Sequence, residues 1–511
     1  LGAGLQSGVS VLAVGRSIKT QLTNRREFLL QASAASALAA LGPRTLAAQQ
    51  AARQAVAAKA DSVIFIWLPG GIAQQDTFDP KPFTPFEPGM KGSDVLATCE
   101  SIPTAVDGLK FGAGLENLAS VMHHGTVLRS LSSATKFGAV HLKAQYYMLT
   151  GHLFPAGLKA PSMGSAVART LGPREPLVPP YIYIGRDIDT SDTEKQFLAE
   201  AIGPGFYGAE YAPFMIPDAT AGLATLEAAA GTTMEQVDRR LALLKKLHGL
   251  TGSRLPEAPQ AERFLKSMDS ARAMMDSPVK QAFNYAKDES AKTIAAYEPQ
   301  IAPEELLDQK YFFGRRFGHG LLLARRLVES GARFVQVEYQ YAAFKGFDTH
   351  EDGQRRMIEM KKQIDGPISQ LIRDLADRGL LQRTLVVVAS EFGRTVANQP
   401  KAGVEPDGFA EMQNGDELVI EEQKMYGLHG HFSSANTLLF FGGGFKPGLV
   451  YGKTAERHAM VPVENPVTLE DTHATIYRAL GIAPDTAYVT EGRPFYVTKD
   501  GRGRPIDALL A

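Results

Sequence analysis

Little in this chain of 511 residues serves as covalent or electrostatic scaffolding. Its single cysteine, Cys99, excludes an intrachain disulfide, and the thiol reads as an inert loop or core group. The 54 Lys and Arg nearly balance the 55 Asp and Glu, for a formal net charge of −1. Basic residues are scattered rather than striped, so the electrostatic footprint of a nucleic-acid partner is missing. Beyond the N-terminal region no apolar run reaches membrane-spanning length, and no transmembrane segment is expected in the mature chain. No internal repeat is evident.

What is present begins with Thr23-Asn24-Arg25-Arg26-Glu27-Phe28-Leu29. Paired arginines followed one residue later by Phe-Leu resemble a twin-arginine export signal. The Ala- and Leu-rich run from Phe28 to Leu41 has the length of a signal's apolar region and is too short to span a bilayer. Small residues around Leu46-Ala47-Ala48 place cleavage near Ala47 or Ala48; the alternative is a short buried helix. Residues 23–48 are therefore expected to be a twin-arginine signal peptide. The mature protein is expected in the periplasm or outside the cell, delivered folded by the twin-arginine export machinery. Residue 1 is Leu, and residues 1–22 read as a doubtful upstream segment.

The rest, about 460 residues, is long enough to bury a substantial core. Strands buried on both faces are expected at Ser62 to Leu68, Gly125 to Leu131, Pro180 to Ile184, Arg333 to Glu338, Thr384 to Ala389 and Asn436 to Phe441, each an apolar, β-branched or aromatic run. Helical patterns from about Tyr311 to Ser330 and Gln354 to Arg378 feed two of them, which is α/β alternation. Residues 218–330, rich in Ala, Leu, Met, Lys and Glu, read as a helical insertion, and 496–511 as a C-terminal tail to a domain of 60–495. The stretches 73–115 and 396–430 read as functional rims.

In open α/β sheets ligands bind beyond the carboxyl ends of the strands. There the sequence places Asp76 and Asp79 after the first strand, His141 after the second, Glu338 and then Asp348-Thr349-His350, and Glu391 and Arg394; just before the run at 436–441 stand His429 and His431. Carboxylates and imidazoles from several strand ends are what a divalent-metal site needs. Arg394 could fork onto a tetrahedral oxyanion or form a surface ion pair, and Ser162 to Ser165 could open a helix whose first amides bind an anion. His473 reads as structural, in a helix start capped by Asp471 or Thr472. Gly442 to Gly444 lack a following Lys-Ser or Lys-Thr and read as a tight turn.

LPGG…DTFDPKP, APSMGSAVA (160–168), LLLARRLVESGARFVQV (321–337), FDTH, SEFGRT, LLFFGGGFKPGLVYG (438–452) and DTHATIYRALGI (471–482) together resemble an exported, sulfatase-like bacterial family of unknown function within the alkaline phosphatase superfamily. The resemblance implies an α/β/α sandwich around a mixed, mostly parallel sheet. It also implies a divalent metal ion (zinc, manganese, magnesium or calcium) and hydrolysis of phosphate or sulfate esters through a Ser, Thr or formylglycine-forming Cys. That nucleophile stands nine positions before a Thr-Gly pair; here the pair is Thr150-Gly151 and the position holds His141. An imidazole can ligate metal, accept a phosphoryl group or act as a base, but cannot become formylglycine. Ser132, Ser133 and Thr135 are substitute hydroxyls or else turn and cap residues.

Glu338 resembles the superfamily's metal-binding Glu, and Asp348 with His350 its later Asp and His pair, which is more widely spaced there. Glu391 falls where an Asp-His-Gly begins, and His431 at a late His ligand. Gly70-Gly71 replace the first-strand Asp, leaving Asp76 or Asp79 to reach back. The expected activity is a metal-dependent ester hydrolase acting on a small-molecule or polysaccharide substrate. The alternative is a binding or envelope-assembly protein that kept the fold and lost the chemistry.

Overall fold

The first strand, β1 (Ser62–Trp67), is buried along its whole length, with side chains pointing alternately to two apolar layers. Val63, Phe65 and Trp67 enter one layer; Ile64 and Ile66, with Leu68 beyond the strand, enter the other. The computed structural model describes residues 57–511 except 133–139, 155–156, 186–191, 228–230, 252–257, 396–418, 428–429, 458–459 and 491.

Within these residues a 9-stranded sheet forms the centre. Its further members are β2 (Gly125–Ser132), β3 (Tyr181–Ile184), β4 (Phe214–Ile216), β5 (Phe334–Glu338), β6 (Thr384–Ala389), β7 (Asn436–Phe441), β8 (Leu449–Tyr451) and β9 (Val467–Thr468). The order is β8-β2-β7-β6-β1-β5-β3-β4, with β9 also paired to β2. Only β7 runs against the others. All the strands expected from their apolar runs form. The short β4, β8 and β9 escape a sequence reading because two or three residues show no period.

Helices cover both faces. On one side lie α3 (Gly314–Glu329) and α4 (Gly353–Asp377), whose Leu321, Leu323, Ile364 and Ile368 pack with Ile64, Ile66, Val335 and Val337. On the other lie α1 (His141–Thr150), α2 (Met163–Leu171) and α5 (Leu469–Ala479), meeting Val63, Phe65 and Trp67 through Tyr146, Met163, Val167 and Ile476. This is a three-layer α/β/α arrangement around a mixed, mostly parallel sheet. Each fully buried aliphatic side chain contributes about 1.5–3 kcal/mol.

Between β4 and β5, helices Met234–Thr251 and Ala258–Met275 pack on one another, while α3 covers the sheet itself. The fully buried Arg325 of α3 holds Glu289, in the segment before that helix, at 2.6 Å and Glu329 of its own helix at 3.0 Å. The last residues, read as a tail, are docked: Leu509 is buried, and the Ala511 amide donates to the Gly444 carbonyl at 2.8 Å. The α5 cap is Thr468, whose hydroxyl accepts from the Asp471 amide at 3.1 Å, rather than Asp471 or Thr472.

Candidate metal centre

Parallel strands put the carboxyl ends of β1, β2, β5 and β6 at one edge, so the segments that follow them converge. After β1 the chain turns at Gly70 and Gly71, with φ of 119° and 82°. A Cβ on Gly70 would lie 2.5 Å from the Asp348 amide nitrogen, so only glycine lets this turn approach the loop after β5. After β6, Gly393–Arg394 pairs antiparallel with His431–Phe432, which sets His431 opposite Arg394. Past β2, α1 begins at His141 and ends at Gly151 in the left-handed conformation.

Four side chains meet here. The ligand atoms of His141, Asp348, His350 and His431 all lie within 4.8 Å of one another. Asp348 Oδ1 is 3.0 Å from His141 Nε2, 2.9 Å from His350 Nε2 and 3.6 Å from His431 Nε2. His350 Nε2 and His431 Nε2 face each other at 3.1 Å. A tetrahedral ion with bonds of about 2.0–2.1 Å holds its ligand atoms about 3.4 Å apart, a separation these distances bracket. Three imidazole nitrogens and one carboxylate oxygen form a donor set that suits zinc or a similar borderline ion better than calcium. The residues present therefore fit one divalent ion.

Around this group stands a layer that orients it. Glu391 is wholly buried; its Oε1 lies 2.7 Å from His141 Nδ1 and accepts from the Gly70 amide at 2.8 Å. A carboxylate on the far nitrogen of a ligating histidine fixes its ring and raises its basicity. Asp348 Oδ2 accepts from the Phe344 amide at 2.7 Å. Arg394 is also wholly buried. Its guanidinium donates to Asp348 Oδ1 and the Gly70 carbonyl, and its Nε reaches the Gly71 carbonyl at 3.1 Å. Gln74 Oε1 accepts from the Arg394 amide at 2.9 Å.

Charge follows this geometry. Burial opposes a proton on His141, but the charges and hydrogen bonds of Asp348 and Glu391 outweigh it and raise the ring to about 9. Burial first, and then the neighbouring His141 and Arg394 cations, lower His431 to about 3, which holds the imidazole in the neutral form that can ligate a metal. Burial would raise Asp348, yet His141, Arg394 and His350 hold it well below the ordinary carboxylate range.

Four of the residues expected at the site thus come together in one group that could hold a metal ion: His141, Asp348, His350 and His431. Asp348 and His350 meet although the segment turns, the His350 amide lying 3.2 Å from the Asp348 carbonyl, because the long imidazole folds back over the turn. Asp76 and Asp79 do not reach back. Asp76 takes the Thr98 amide at 2.6 Å and hydroxyl at 2.8 Å, and Asp79 binds Lys81 at 3.2 Å and Arg129 at 3.3 Å. Both are spent on fixing the segment after β1.

Glu338 is buried outside the four-residue group; burial first, and Glu391 second, push its carboxyl well above the usual range. Glu391 orients His141 and is not among the four. Arg394, with its guanidinium spent on protein oxygens, is neither an oxyanion fork nor a surface pair. Ser162 caps its own helix through the Ser165 amide at 3.2 Å. Cys99 is a half-buried thiol raised to about 11, first by burial and then by Asp76. His429, Ser133 and Thr135 lie outside the described residues. The carbonyls of Gly70 and Gly71 as guanidinium acceptors carry no signal in the sequence beyond the glycine pair itself.

The signature of the family described as protein of unknown function (DUF1501) matches residues 60–510. The chain belongs to this family. Among curated proteins no sequence matches. Solved structures that align include the lipoteichoic acid synthase LtaP from Listeria monocytogenes, at TM-score 0.36 and 11% identity over 87% of this chain and 76% of that one. The phosphonate monoester hydrolase SpPMH from Silicibacter pomeroyi aligns at 0.32 and 13% over 88% and 76%. The alkaline phosphatase from the Antarctic bacterium TAB5 aligns at 0.30 and 9% over 77% and 94%. Likeness of this degree carries no argument about activity.

Proposed function

We propose that this member of the family is an exported, metal-dependent hydrolase of phosphate or sulfate esters, working without the usual Ser, Thr or Cys nucleophile. The observation that carries the reading is the convergence of His141, Asp348, His350 and His431 within 4.8 Å at the strand ends. The ester class rests on the sequence motifs and their resemblance to sulfatase-like proteins. A bound divalent ion supplies a Lewis acid for an ester oxygen. The chain's own residues hold the centre: Glu391 directs His141 Nε2 inward, and Arg394 positions Asp348 and balances its charge. His141 at the nucleophile position excludes formylglycine chemistry there. A small-molecule or polysaccharide ester is the expected substrate.

Export by the twin-arginine route is part of the same proposal and rests on Arg25-Arg26 and the run that follows. Among the described residues no helix is long and apolar enough to cross a membrane. Replacing both arginines by lysine should leave the full chain in the cytoplasm; unchanged export would refute this part.

Purified protein should contain one zinc or similar ion per chain and turn over aryl phosphate, phosphodiester or aryl sulfate above a His141→Ala control. One observation favours a second reading, that of a binding protein on a retained fold: both His141 ring nitrogens are engaged, by Glu391 at 2.7 Å and Asp348 at 3.0 Å. Stoichiometric metal without turnover of any of the three ester classes would decide for it.

A further inference from the structure

The loop between β5 and α4 carries a residue that stability alone does not account for. Phe344 has φ of 61°, the left-handed region that is a genuine outlier for a bulky side chain. Among the described residues the other non-glycine positions of this kind are Asp352, Asn465 and Asp500, the side-chain types that tolerate it. The ring is also 65% exposed, so the strain is not offset by burial. It stands against the metal group, with its centroid 5.1 Å from that of His350.

The backbone at this position has a clear task, since the Phe344 amide holds Asp348 Oδ2 at 2.7 Å. That task needs no side chain. Glycine or asparagine would perform it with less strain and without an aromatic face in water. Next in the chain, Lys345 is drawn away to Asp308 at 2.7 Å, which leaves Phe344 as the apolar group of this loop beside the partly exposed His350.

We infer that Phe344 is a specificity-determining residue: a platform on which the organic part of the substrate lays a flat ring while its anionic group meets the centre. This rests on the hydrolase reading and narrows it to esters whose organic group presents a flat, C–H-bearing face, either aryl or sugar. Such a ring stacks against an aromatic side chain in offset or edge-to-face contact.

The test is calorimetric titration of the zinc-loaded protein with methylphosphonate, phenylphosphonate and the phosphonate isostere of glucose 6-phosphate, for wild type and Phe344→Asn. In the wild type at least one ring-bearing ligand should bind about tenfold more tightly than methylphosphonate, and which one does so separates aryl from sugar. In Phe344→Asn the preference should fall to within about twofold, with zinc affinity retained and the melting temperature unchanged or raised. Equal affinity for all three ligands in the wild type, a preference that survives the substitution, or binding of none would overturn the assignment. Turnover of 4-nitrophenyl phosphate, followed in parallel, keeps the two readings apart. Turnover without ring preference sinks only the platform, and ring preference without turnover sinks only the hydrolase.

Discussion

Removing one ligand from the four-residue group is the sharpest perturbation the geometry allows, and His350→Ala is the substitution of choice. His350 is the most exposed of the four, its side chain 25% accessible against 20% for His431 and 2% for Asp348. Its loss should disturb folding least, by about 1 kcal/mol for a partly exposed hydrogen-bonded ring. Its effect on zinc should be large. Four-ligand zinc sites bind with about 10–16 kcal/mol of apparent free energy, so one ligand is worth about 3 kcal/mol, or about a hundredfold in affinity. Competition against a chromophoric chelator measures this directly. Thermal denaturation gives an independent reading, because metal at about a hundredfold excess over Kd stabilises the folded chain by about 3 kcal/mol, and the variant should lose most of that gain. Asp79→Asn, outside the group, should keep wild-type zinc affinity. If His350→Ala binds zinc as tightly as the parent, the four side chains are not a ligand set.

Further outcomes follow from the same contacts. His141 is raised to about 9, so it holds a proton that the ion must displace; zinc affinity should rise about tenfold per pH unit between about 7 and 9 and then level off, as titration at several pH values would show. In metal-free protein the sign is opposite. The stability from this raised pKa is fully present below the ordinary histidine value near 6.5 and is lost as pH rises through about 9, which denaturant titrations would detect. Arg394→Met leaves the buried Asp348 carboxylate and the Gly70 and Gly71 carbonyls without their donor and should cost about 3–5 kcal/mol in chemical denaturation. Gly70→Ala combines a forbidden φ with a Cβ 2.5 Å from the Asp348 amide; it should weaken zinc binding at least tenfold by displacing Asp348, and unaltered affinity would contradict the close approach described.

Several parts of the site were legible because each is local. His141, Asp348, His350 and His431 stand out as metal-binding side-chain types near strand ends, and strand ends are marked by where apolar runs stop. Roles were not legible. Nothing local distinguishes Asp76, which binds Thr98, from Asp348, which gathers three imidazoles, because both are aspartates in polar stretches after a strand. Glu391 looked like a ligand, yet its oxygen faces the far nitrogen of His141, a matter of which side of a ring another element approaches. Arg394 looked like a surface or substrate-binding fork, and only the return of the glycine turn after β1 shows it enclosed.

The division has one physical reason. Hydrophobic periodicity, turn residues and side-chain chemistry are encoded over a few neighbouring residues, so the strands, the main helices, the α/β class and the kinds of atoms that could bind a metal belong to the sequence by itself. Whether those atoms share one point in space depends on register and close approach between segments hundreds of residues apart. The 3.0 Å between His141 and Asp348 is set by the sheet order and by glycines that permit contact, and the strained, exposed ring of Phe344 is recognisable only beside the cluster it faces. Those were decided by the tertiary structure alone.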